Sequence, residues 1–290
     1  MSTKTTVVAE IGCNHQGRLD TAVEMIKVAA EFCKVDVVKF QKRTNSELLS
    51  PEEYAAPHPS PTHSFGSTYG EHREFLEFDL DQHGLLIETC KQCGIEYSVS
   101  VWDIEAARQM SSLAPRLLKV PSASNLDFEM LQWLASYFEG EIHLSLGMTT
   151  REEERLIFDL FNQAGRAKDL VLYACTSAYP VPFEDVCLLE IRRLIEEYGA
   201  HIKGIGFSGH HLGIAADVAA LALGARYFER HFTLNRTLKG TDHAASLEPD
   251  GLRRVVRDVR NVLLALTPKR EEILEIEKCH RSKLKRKLKA

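Results

Sequence analysis

The sequence predicts an α/β fold of one domain, a TIM barrel of eight parallel strands each followed by a helix. Three observations carry this. Eight short β-branched runs recur along the chain, most of them near-continuously apolar, as parallel strands covered on both faces require. Amphipathic stretches of helical period separate them. The length of 290 residues suits one barrel built from successive right-handed crossovers. An open doubly wound sheet is the alternative. It would more often carry a glycine-rich phosphate loop after strand one, and EIGCNHQG does not fit that pattern.

Strand one is TTVVAEIG from Thr5, and LDTAVEMIKVAAEFCK reads as its helix. Strand two is VDVVKFQK from Val35. Residues Thr44 to Asp81 then form a long insertion rich in Pro, Ser, His and Tyr, and insertions of this kind commonly serve as lids. The helix that follows holds Cys90 and Cys93. A single CxxC with no second pair there points to packing rather than to zinc. Strand three is IEYSVSVW from Ile95, followed by the helix IEAARQMSSL. Strands four, five and six are RLLKVPS from Arg116, EIHLSLG from Glu141 and DLVLYACTS from Asp169. EDVCLLEIRRLIEEYG is the helix after strand six. Strand seven is IKGIGFSGH from Ile202 and strand eight is ARYFERHFT from Ala225. The helix GLRRVVRDVRNVLLAL completes a barrel domain of residues 1–267. Residues 268–290 form a charged, helix-prone tail ending RSKLKRKLKA.

Composition narrows the function. Hydrophobic residues make up 44% and charged residues 27%, a globular balance. A formal net charge of −5 gives no electrostatic case for nucleic acid. The seven cysteines are an odd number scattered through apolar segments. With no signal peptide and no membrane-length apolar run, the expectation is a cytoplasmic protein with reduced thiols and no membrane contact.

Barrel chemistry collects at the C-terminal ends of the strands. Strand one supplies Glu10, Asn14 and His15, and strand two Lys39 and Gln41. Strand four supplies Lys119, Ser122 and Ser124, and strand five Ser145. Strand six supplies Thr176, Ser177 and Tyr179, and strand seven Ser208 and His210. Strand eight ends in Glu229, Arg230 and His231, with Asp242 and His243 just beyond. Two lysines and a set of hydroxyls suit a phosphate or carboxylate. Two histidines with a carboxylate such as Glu229 or Asp242 suit a divalent metal with open positions. Together they read as a barrel enzyme for an anionic, sugar-like substrate.

The motifs VVAEIGCNHQG (Val7 to Gly17), DVVKFQKR, LKVPSAS, LSLGMTT, YACTSAYPVPFEDV, GFSGHHLG and ERHFT occur in that order. In this the chain resembles the sialic acid (nonulosonate) synthase family. The resemblance implies a TIM-barrel transferase that condenses phosphoenolpyruvate with an aldose, a hexose or hexosamine derivative. The product is a 3-deoxy-2-keto sugar acid, and phosphate is released. It implies that Lys39, Lys119, Ser122, Ser145 and Ser208 hold phosphoenolpyruvate, and that His210 and His231 bind Mn²⁺ or Mg²⁺. Glu10, Gln41, Tyr179 and Asp242 would contact the sugar or the metal's water. Glu10, Lys119, His231 and Asp242 are the candidate catalytic groups. A homodimer or higher homo-oligomer is expected on the same ground.

Departures from the family pattern accompany the resemblance. Ser124 stands where a carboxylate is frequent, Gly209 where Asp is, and Ser177 where Asn is usual. Members typically carry a C-terminal antifreeze-like domain whose arginine reads the acetamido group, and the expectation here is the barrel alone. Tyr69, His72 and Arg73 of the insertion are candidate lid residues over the sugar, with Lys239 and His243 of KGTDHAASLEP a second candidate. The alternatives are a 3-deoxy-octulosonate-type synthase using a phosphorylated pentose and a non-catalytic barrel that binds an anionic ligand.

Overall fold

A computed structural model describes residues 4–286. Eight parallel strands close into a barrel in chain order, β1 pairing with β2 on one side and β8 on the other. The strands are β1 Thr6–Gly12, β2 Val37–Lys42, β3 Glu96–Val101, β4 Leu117–Val120, β5 Glu141–Ser145, β6 Leu170–Cys175, β7 Gly204–Ser208 and β8 Tyr227–His231. The fold class and all eight strands read from the sequence are therefore present.

The helices are α1 Leu19–Lys27, then α2 Asn45–Leu48, α3 Pro51–Ala55 and α4 Tyr69–Leu76 within the insertion. The outer ring continues with α5 Leu80–Cys93, α6 Ile104–Ser112, α7 Phe128–Tyr137, α8 Arg151–Gln163, α9 Glu190–Tyr198, α10 Ala215–Leu223 and α11 Pro249–Ala265. A last helix, α12 Glu275–Leu284, lies beyond the barrel. Two helices differ from the sequence reading. The first α-helix stops at Lys27 and continues as a π-turn over Val28–Cys33. The one after β6 starts only at Glu190, because Cys187 takes a left-handed φ of 52° that an α-helix cannot hold.

The main core lies between sheet and helices, where apolar side chains such as Ile11, Phe40, Leu118, Leu144 and Phe228 meet Met25, Leu86, Met110, Leu134 and Phe161. The barrel axis is different. A small apolar plug, Val8, Val37 and Leu117, forms a separate cluster there. Side chains alternate along a strand with a period of two. The positions two residues on from the plug are Glu10, Lys39 and Lys119. The interior thus turns charged one layer above its base, and that layer forms the floor of the site.

Candidate active site

The floor is an ion-pair network. Lys39 pairs with Glu10, donates to Ser100 Oγ at 2.6 Å and lies 3.8 Å from Glu229. Lys119 donates to both Glu229 oxygens at 3.1 and 3.2 Å, and Ser208 donates to the same carboxylate at 3.2 Å. Glu10 also accepts from Gln41 Nε2 at 3.1 Å. All four charged groups are nearly inaccessible to water. Burial works against the Glu229 carboxylate, yet Lys119 and Lys39 outweigh it and hold its pKa at about 2. Burial likewise opposes the Lys39 charge, and Glu10 and Glu229 reverse it, so Lys39 is raised. Lys119 is lowered, first by burial and then by the Lys39 charge.

Above the floor is a cavity of about 580 Å³ lined by Glu10, Lys39, Gln41, Lys119, Ser122, Ser145, Ser177, Tyr179, Ser208, His210, Glu229, His231 and Asp242. That volume is typical of a small-molecule site. Ser145 Oγ is buried in its wall without a hydrogen-bond partner. Ser122 Oγ accepts from the Gly147 amide at 3.1 Å, which fixes its place beside the strand-five loop.

The histidine pair sits at the ends of β7 and β8, ring centroids 5.4 Å apart, with the Tyr179 ring 4.3 Å from His210 and 5.7 Å from His231. His210 Nδ1 lies 3.1 Å from the Thr176 carbonyl, which can only accept. The proton therefore sits on Nδ1 and the Nε2 lone pair is free. Burial, then the His231 ring, lowers His210 to about 3, so it is a neutral imidazole at physiological pH. His231 Nδ1 is buried without a hydrogen bond and lies 3.7 Å from Asp242 Oδ2. Two imidazoles beside a carboxylate are a donor set that fits a divalent ion. Among the described residues no three His, Cys, Asp or Glu side chains form a ready-made metal cluster.

The insertion covers one side of this cavity. Arg73 and His72 of α4 line it together with Tyr69, His58, Arg43 and Trp102. Arg43 is tied to Glu77 and to Cys13 Sγ. Burial, chiefly, pushes the Cys13 thiol up to about 11.

The sequence profile of the NeuB family matches residues 25–271. The chain belongs to the NeuB family. It is 39% identical over 280 residues to human N-acetylneuraminate-9-phosphate synthase, covering 96% of this chain and 76% of that protein. It is 32% identical over 264 residues to the N,N'-diacetyllegionaminic acid synthase of Campylobacter jejuni, covering 91% and 78%. Its fold matches the crystal structure of the N-acetylneuraminic acid synthetase of Leptospira borgpetersenii in complex with citrate, with a TM-score of 0.81 and 26% identity over 98% of this chain and 93% of that one.

Most of the residues expected at the site line one cavity of this NeuB-family chain, with three exceptions in place or role. Ser124 does not line the cavity. Its hydroxyl donates to the Trp102 carbonyl at 2.7 Å and braces the turn after β4. Glu229 is not free for a metal, because both its oxygens are taken by Lys119. Asn14 and His15 are structural. Asn14 Nδ2 donates to the Phe232 carbonyl and Ser246, and His15 stacks on Phe78 at 4.1 Å. Several cavity residues were not singled out from the sequence, among them Cys13, Arg43, His58, Ser100, Trp102 and Cys175. Ser100 and Cys175 lie on β3 and β6 at positions whose neighbours two residues back, Ser98 and Tyr173, are also buried. Strand period was the signal that could have found them. Among the described residues no helix is long and apolar enough to cross a membrane.

Proposed function

We propose that this protein condenses phosphoenolpyruvate with an aldose to give a 3-deoxy-2-keto sugar acid and inorganic phosphate. The observation that carries the reading is the juxtaposition, in one cavity, of a buried lysine pair with hydroxyl donors and a histidine pair beside a carboxylate. Relatives named as N-acetylneuraminate-9-phosphate, diacetyllegionaminic acid and pseudaminic acid synthases support the same class of reaction. Some of those names carry a phosphate and others do not, so they leave the acceptor open.

The residues divide the work. Lys39 and Lys119 are held in place by Glu10 and Glu229, so their remaining N–H donors are oriented before the substrate arrives. With Ser122, Ser145, Ser177 and Ser208 they take the phosphate and carboxylate of phosphoenolpyruvate. Burial raises the Tyr179 phenol, which stays protonated and can donate to a sugar hydroxyl. Gln41 and Arg73 complete the sugar side. His210, His231 and Asp242 would hold a divalent metal, and two imidazoles favour Mn²⁺ over Mg²⁺. When bound, it would supply Lewis-acid polarisation of the aldehyde oxygen. Carbon 3 of phosphoenolpyruvate bonds to the aldehyde carbon, whose oxygen takes up a proton. A water adds at carbon 2 and gives a proton to a cavity carboxylate, Glu10 or Asp242, and the tetrahedral intermediate expels phosphate. A cytoplasmic location and a homo-oligomeric assembly accompany this reading.

The test is phosphate release from phosphoenolpyruvate with a panel of aldoses, with and without chelator. Sugar-dependent release that stops on chelation and returns with Mn²⁺ is the expected result. Release that needs no sugar, or none with any sugar, overturns it. The mass of the product separates a nine-carbon acid from the eight-carbon acid of an octulosonate-type enzyme.

A further inference from the structure

We propose that Arg73 receives a second anion, a phosphate monoester carried by the acceptor aldose away from its aldehyde, and so makes the enzyme selective for phosphorylated aldoses. The inference rests on the synthase reading above. Arg73 is only 8% exposed and lines the cavity, and its Nε has no hydrogen-bond partner. Its guanidinium lies over the rings of Tyr69 and Trp102, at 5.5 and 5.6 Å. The aromatic faces fix the plane of the fork but offer no acceptor oxygen. Arg43 approaches the same indole ring at 5.7 Å and has the Glu77 carboxylate. Arg73 forms no such ion pair among the described residues, although burying a guanidinium without an anion is costly.

The surroundings are cationic. Arg43, Arg73 and Lys239 all act on His72, which itself lines the cavity. The carboxylate that acts on Arg73, Glu77, is already engaged. Glu77 is bound by Arg43, and Glu71 closes the capping box of α4 with Thr68. The groups acting on the Arg73 charge are Arg43, Tyr69, Glu77 and Cys13, none of which belongs to the lysine pair. The cavity thus offers two anion sites. The Lys39–Lys119 site serves phosphoenolpyruvate, and the aldehyde belongs beside His210 and His231. The Arg73 site is left for a group at the other end of the sugar. A planar fork with free donors suits the bidentate geometry of a phosphate.

The experiment pairs N-acetylmannosamine with its 6-phosphate, and mannose with its 6-phosphate. Wild-type protein should prefer each phosphorylated sugar by at least tenfold in kcat/KM. Arg73→Met should bring that ratio toward one, mainly through KM of the phosphorylated sugar. Arg73→Lys should restore part of the preference, and circular dichroism checks that both variants fold. Calorimetric titration of each 6-phosphate and its parent sugar into the manganese-loaded protein reads the subsite without turnover. Equal use or equal binding of the two forms by wild type overturns the inference, as does a preference that survives Arg73→Met. If no sugar supports phosphate release but the 6-phosphates still bind preferentially through Arg73, the synthase reading fails and the anion site stands.

Discussion

At the scale of the residue, the serines of the strand ends separate by the partners of their hydroxyls. Ser145 Oγ is buried and unbonded, whereas Ser124 Oγ is spent on a backbone carbonyl. Ser145→Ala removes no hydrogen bond from the free protein, so its stability should stay within about 0.5 kcal/mol of wild type or rise. Its KM for phosphoenolpyruvate should rise about tenfold, the loss of roughly one hydrogen bond to an anion. Ser124→Ala should show the opposite pattern, about 1 kcal/mol of lost stability and an unchanged KM. Denaturant melts and steady-state kinetics on the two variants check this, and a KM effect from Ser124→Ala would return that serine to the site. From sequence alone the two were indistinguishable, since both are serines at or shortly beyond the end of an apolar run, Ser145 closing β5 and Ser124 lying past β4. Only the turn after β4 decides which way a hydroxyl faces. The charged members of the site were legible because a lysine or histidine at the end of an apolar run has few reasons to be there. The small neutral ones, Ser100 and Cys175, carried no such mark.

At the scale of the element, the insertion is a folded piece rather than a loose loop. The chain crosses from α3 to α4, where a Cβ on Gly70 would fall 2.2 Å from the Tyr54 ring. The Tyr69 amide donates to the Ala56 carbonyl at 2.7 Å, and the His58 and His72 rings meet at 4.3 Å. Capping boxes at Ser50 and Thr68 start the two helices. Any side chain at position 70 must push the helices apart and move Arg73. Gly70→Ala should therefore raise KM for the aldose at least tenfold and change KM for phosphoenolpyruvate by less than twofold. Equal changes in both would show that the insertion serves the whole barrel mouth. Composition exposed the insertion in the sequence as a break in the strand–helix rhythm. Its internal packing was not legible, because it depends on glycine and ring contacts between short helices with weak periodicity. The π-turn after α1 and the late start of α9 were hidden for a related reason, since apolar spacing does not report single-residue changes in winding.

At the scale of the whole molecule, buried neutral histidines set the acid limit. His15, His83 and His210 are each lowered from 6.5 to about 3, in every case first by burial. Their folded pKa values lie below the unfolded ones, so the unfolded chain binds more protons between those limits. Stability is then fully present above pH 6.5 and falls as pH drops toward 3, by roughly 1.4 kcal/mol per pH unit for each ring. Glu229, lowered from 4.5 to about 2, extends the decline over that lower range. Urea unfolding at a series of pH values should show the midpoint dropping from about pH 6 downward, and a flat profile to pH 4 would contradict the neutral assignment. The barrel itself was plain in the sequence because eight near-continuous apolar runs leave few other closures. Its last seam has a consequence in time. Glu10 of the first strand lies in register with His231 of the last. During synthesis the lysine–carboxylate floor and the histidine pair of the cavity cannot meet until β8 has left the ribosome and sealed against β1. Every earlier length of nascent chain exposes two unpaired strand edges, so the protein gains its chemistry and loses its tendency to aggregate in the same late step.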